Sequence, residues 1–72
     1  MNPYEKLANA IILQAVADYR EALSRYYQHP EIDKYLQEKD EFERFFHSGL
    51  FGVLTNIDPE FLIAKLKKEV SL

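Results

Sequence analysis

Two histidines, three serines, one threonine, a pair of arginines set among tyrosines and a run of carboxylates are the groups in this 72-residue chain that could do chemistry. His47 follows two phenylalanines and precedes Ser48, and an imidazole titrates close to neutral pH, so it has the chemistry of an acid, a base or a metal ligand. His29 is the only other histidine, and no carboxylate stands at a recognised ligand spacing from either. The chain has no cysteine, so a metal site would need His, Asp and Glu alone; neither a metal nor any other cofactor is expected. Ser24, Ser48, Ser71 and Thr55 lack the strand-to-helix elbow and the base with its orienting partner that activate a hydroxyl. Phosphate-cradling glycine loops are missing too. These absences predict a non-enzyme.

Binding chemistry is left in three places. "YREALSRYYQH" interleaves Arg20 and Arg25 with Tyr19, Tyr26 and Tyr27, a mixture able to stack on a base or pair with a phosphate, as in a pocket between chains that sequesters a nucleotide signal through Arg20, Arg25, Tyr26 or Tyr27. Asp18, Glu21 and Glu31 are near enough to neutralise those arginines, and tyrosines at a helix end commonly pack with the hydroxyl wet. "EIDKYLQEKDEFE" holds Glu31, Asp33, Glu38, Asp40, Glu41 and Glu43 against two lysines, a local charge of −4. Such a run is either a solvated helix face or a mimic of nucleic acid phosphates that occupies a basic groove on a host protein. Lys65, Lys67 and Lys68 would carry direct nucleic acid contact. The net charge of −3 argues against that role.

The elements that must position these groups are helices. Asn2 as cap, Pro3 in the first turn and Glu5 three residues after the cap start a helix that nothing interrupts before Gln28. Tyr4, Ala8, Ile11, Ile12, Ala15, Tyr19, Leu23 and Tyr26 mark one face at helical spacing. Leu7, Leu13 and Val16 lie off that face, so "LANAIILQAVA" is apolar nearly all round and calls for cover on more than one side. "QHPEID" sets the next boundary, with a second helix expected from Pro30 to about His47. "SGLFGVL" reads as a short separate turn capped by Ser48, and Gly49 and Gly52 are expected to serve a turn or a close backbone approach. Asp58 as cap, Pro59 at the first helical position and Ile57 placed to staple onto Leu62 open the last helix. The phenylalanines of "ERFFHSGLFGVLTNID" follow near-helical spacing and are expected in the core.

The fold class expected is all-α, a small three-helix bundle with one additional short helix, occupying residues 1–72 as one domain. A chain this short buries a modest share of its surface and, without disulfides, gains stability most readily by self-association. Leu7, Ile11, Ile12, Leu13 and Val16 are the residues expected to meet a second copy. "MNPYEKLANA" lacks the pattern of a signal peptide and no apolar run reaches the ~20 residues that span a bilayer, so the expected location is the cytoplasm, with no membrane partner.

Two segments, "AIILQAVADYREAL" (10–23) and "ERFFHSGLFGVLTNIDPEFLIAKL" (43–66), resemble small uncharacterised helical proteins of Firmicutes phages, prophages and integrative mobile elements. The family pattern runs E-R-F-F-R-S, an aromatic, then L-T-x-x-D-x-E-[YF]-L-I. It matches Glu43 to Ser48, Leu54, Thr55, Asp58 and Glu60 to Ile63, with His47 standing for arginine and Leu50 for tryptophan. The resemblance implies a context, in which accessory proteins work by binding and blocking a host protein. Together these readings predict a non-catalytic homo-oligomer that binds a host protein, for instance a defence nuclease, through its acidic helix face. The nucleotide-sequestering and nucleic-acid-associated readings stand as alternatives.

Overall fold

The computed structural model describes residues 2–71. Four helices follow one another: α1 (Pro3–Gln28), α2 (Asp33–Phe46), α3 (Gly49–Leu54) and α4 (Pro59–Ser71), with no strand among the described residues. The fold is the all-α bundle that the spacing predicts. Asn2 caps α1 by accepting from the Glu5 amide at 2.8 Å. Asp58 does the same for α4, accepting from the Glu60 amide at 3.0 Å. Ile57, expected to staple onto Leu62, stays about half exposed, while Leu62 is partly buried against the core.

Two local expectations are corrected. Pro30 does not open α2. The Ile32 amide donates to the His29 carbonyl at 3.1 Å, closing a turn with Pro30 at its second position, where the fixed proline φ fits well. The helix then begins at Asp33 and ends at Phe46, with His47 as its C-cap. The second correction concerns the glycines. Neither Gly49 nor Gly52 has a positive φ, and a Cβ on either would meet nothing within 4 Å. Neither turn geometry nor close approach explains them.

Ser48 joins α2 to α3 with a single hydroxyl. Its Oγ donates to the Phe45 carbonyl at 2.6 Å and accepts from the Phe51 amide at 3.3 Å, closing one helix end and capping the next. This fixes Phe45, Phe46 and Phe51 against one another. Phe46 and Phe51 meet edge to face with centroids 5.4 Å apart, and Tyr19 meets Phe46 edge to face at 5.3 Å. Around them close Ile12, Ala15, Leu23, Ile63 and Leu66. The aromatic stretch is therefore core, as its spacing predicts, while Leu50 and Val53 face outward.

α2 runs against α1, since Arg25 lies beside Glu38 and Tyr19 beside Phe42 and Phe46. α4 runs with α1, because the chain leaves α3 near Ala8 and Glu69 reaches Arg20. α2 thus runs from beside Arg25 back toward Ile11, and α4 lies alongside the middle of α1 and ends beside Arg20. The molecule measures 43 × 22 × 18 Å, and at about 1.5 Å per residue α1 alone accounts for nearly all of its length. No described helix is long and apolar enough to cross a membrane.

Candidate functional site

The one buried charged side chain among the described residues is Lys39, and it sits at a junction of three helices. Its Nζ donates to Asp40 Oδ1 at 2.8 Å and to Glu43 Oε2 at 3.1 Å, and lies 5.5 Å from the centre of the Tyr26 ring. Glu43 Oε2 also accepts from the Tyr19 hydroxyl at 2.7 Å and has Lys67 Nζ at 3.5 Å. Thus α1, α2 and α4 meet at a single carboxylate. Helical spacing builds it locally: Lys39 and Glu43 are four residues apart on the inner flank of α2.

The electrostatics of this knot point away from acid–base catalysis. Burial pushes the Tyr19 phenol up, and the bond to Glu43 pushes it further. Burial acts to lower the Lys39 ammonium, but its bonds to Asp40 and Glu43 and their charges outweigh it and carry Lys39 above its ordinary value. Burial likewise acts to raise Glu43, and the bonds from Tyr19 and Lys39, with the charges of Lys39 and Lys67, hold it below the usual carboxylate range instead. A group that trades protons at neutral pH is tuned toward 7. All three here move the other way, so the knot keeps one protonation state across the neutral range and acts as a positioned ion cluster.

The structure divides the carboxylates expected on one acidic face. Glu43, Asp40 and Glu38 are ion-paired within the chain, to Lys39 and Lys67, to Lys39, and to Arg25 at 3.7 Å respectively. Glu31 lies 3.4 Å from His29. Asp33 and Glu41 are exposed and have no cation beside them among the described residues. Of the arginines and tyrosines expected to share a ligand between chains, Arg20 pairs with Glu69 at 3.0 Å, Arg25 lies 3.8 Å from Glu21, Tyr26 carries Lys39, and the exposed Tyr27 ring lies 5.8 Å from that of Tyr26. Lys65 and Lys68 are exposed, whereas Lys67 belongs to the knot. No three described His, Asp or Glu side chains are grouped to hold a metal ion.

Of the residues expected to meet a second copy, Ile12 is buried in the chain's own core and Val16 packs against it. Leu7, Ile11 and Leu13 remain exposed, as does Tyr4. Along the same stretch, Ala10, Ile11, Gln14, Ala15 and Asp18 of α1 face Glu41, Phe42 and Phe45 of α2 across an open, mainly apolar groove of about 540 Å³. It continues toward Arg25 as a polar cleft bordered by Asp18, Glu21, Glu38 and Glu41. Sequence reasoning found the exposed leucines through their all-round apolar pattern but missed the knot. The i,i+4 pair Lys39–Glu43 was the available signal, and it is indistinguishable in sequence from an ordinary surface pair. Against family models, curated proteins and solved structures, the chain shows no match.

Proposed function

We propose that this chain is a non-catalytic helical binding protein that assembles with copies of itself and engages a protein partner. The observation that carries the reading is the uncovered first half of α1, where Tyr4, Leu7 and Leu13 are 82%, 60% and 69% exposed on a continuous helix. Tyr4, Leu7 and the partly exposed Ile11 recur at three- and four-residue spacing on one stripe, and an exposed apolar stripe supports association, since water gains by its removal from contact. The ion cluster supports the non-catalytic half of the proposal, because its charges are tuned for permanence. A host protein such as a defence nuclease as the target, in a mobile-element setting, rests on the motif resemblance and the acidic run, with the exposed Asp33 as a contact residue.

Sedimentation velocity from about 1 to 300 μM tests the assembly. The expected result is a concentration-dependent rise above monomer mass, abolished in Leu7→Glu/Leu13→Glu with helical circular dichroism retained. A wild-type chain that stays monomeric throughout overturns the reading.

A further inference from the structure

The groove between α1 and α2 has a complement on the opposite flank of the same molecule. On the outer face of α4 stand Phe61, 64% exposed, then Lys65 and Lys68, four and three residues further along and so on one helical stripe. Neither lysine is ion-paired among the described residues. The groove repeats that order as its counterpart: an apolar floor of Ile11, Ala15, Phe42 and Phe45 comes first, and Asp18 and Glu41 follow, with Glu21 and Glu38 beyond. Arg25 is the only cation in this lining, and it is held between Glu21 and Glu38. The lengths also agree. Seven residues separate Phe61 from Lys68 and seven separate Ile11 from Asp18, about 10 Å of helix in each case.

We propose that the second copy binds head to tail, with α4 of one copy seated in the α1–α2 groove of the next. Phe61 fills the apolar floor, and Lys65 and Lys68 meet Asp18 and Glu41. This rests on the self-association reading above and gives it a mode that engages Ile11, with the exposed Leu7 one turn before it on the same stripe bordering the seated helix. The two faces lie on different flanks of α1, so one copy uses its groove and its α4 at once with two different neighbours. Such an interface is heterologous and propagates into a ring or a filament, unlike a two-fold dimer in which one patch meets itself. Opposite charges fix the register and make assembly salt-sensitive.

Two variants separate the outcomes. Phe61→Arg spoils the α4 face and leaves the groove intact; Ala10→Arg/Gln14→Arg blocks the groove and leaves α4 intact. All three positions are exposed, and circular dichroism verifies the helices. In sedimentation velocity at 100 μM and low salt, each variant alone is expected to be monomeric. Their equimolar mixture is expected to give a discrete particle of twice the chain mass, because one good groove then meets one good α4 and growth stops there. Wild-type assemblies are expected to weaken at least tenfold between 50 and 500 mM NaCl. If wild type assembles and Phe61→Arg assembles equally well, or the mixture stays monomeric, the head-to-tail mode is overturned while self-association stands. A monomeric wild type overturns both.

Discussion

The two halves of α1 make opposite use of the same kind of sequence. Residues 3–14 are the more apolar half, yet Ile12 is the one buried side chain there. Residues 15–28 carry Asp18, Arg20, Glu21 and Arg25, yet bury Ala15, Tyr19, Ala22 and Leu23. Burial in this protein follows where α2 and α4 happen to lie, and between them they leave most of the first half open. Hydrophobicity along a helix reports how much cover it wants, and the lengths of its neighbours decide how much it receives.

That contrast gives its sharpest forecast at Phe46, which is fully buried against Tyr19 and Phe51. Phe46→Ala is expected to cost about 4 kcal/mol by urea unfolding, enough to leave a chain this small partly unfolded. Next comes the knot that pins the second half of α1 to α2 and α4. Glu43→Ala strips the Tyr19 hydroxyl and the Lys39 ammonium of a shared acceptor and is expected to cost about 2 kcal/mol.

The same group sets an acid limit. The native Glu43 is held below its ordinary value of 4.5, so its contribution is present above that pH and is lost as pH falls through the native value. Lys39 is raised, so its contribution is present below 10.5 and lost as pH rises through its native value. Chemical denaturation as a function of pH should therefore show a plateau between these limits, and Glu43→Gln should flatten the acid edge. A variant with the wild-type acid edge would remove Glu43 from the account of it.

Smaller effects probe the uncovered side. Gly52→Ala is expected to stabilise by about 0.7 kcal/mol, since the residue is helical and a methyl group there meets open space; the thermal midpoint reads it. Under dilute monomeric conditions Leu13→Ala is expected to stay within about 0.5 kcal/mol of wild type. A loss above 2 kcal/mol there would mean that the first half of α1 is covered within the single chain, and the contrast between the halves would fail.

Much of this was legible in the residues. Asn2–Pro3, Ser48 and Asp58–Pro59 place three of the four helix starts, because each is a local pairing of a cap with a nearby amide. Pro30 misplaced the fourth, since the same fixed φ suits a helix start and the second position of a turn, and only the His29–Ile32 bond decides between them. Which of Leu7, Ile11, Ile12, Leu13 and Val16 face the core depended on where α2 and α4 pack, which periodicity does not contain. The ion pairs of the acidic run were hidden for a related reason: its members at positions 38, 40 and 43 have cations beside them contributed by other parts of the fold or by α2 itself.

The Ser48 hydroxyl has a dynamic corollary. A corner pinned by one oxygen couples its two sides: a χ1 rotation of Ser48 that frees the Phe45 carbonyl also withdraws the oxygen that the Phe51 amide needs, and Phe51 is a wall of the core. The last turn of α2 and all of α3 should accordingly breathe as one unit, with the amides of Ser48 and Phe51 exchanging with solvent at matched rates.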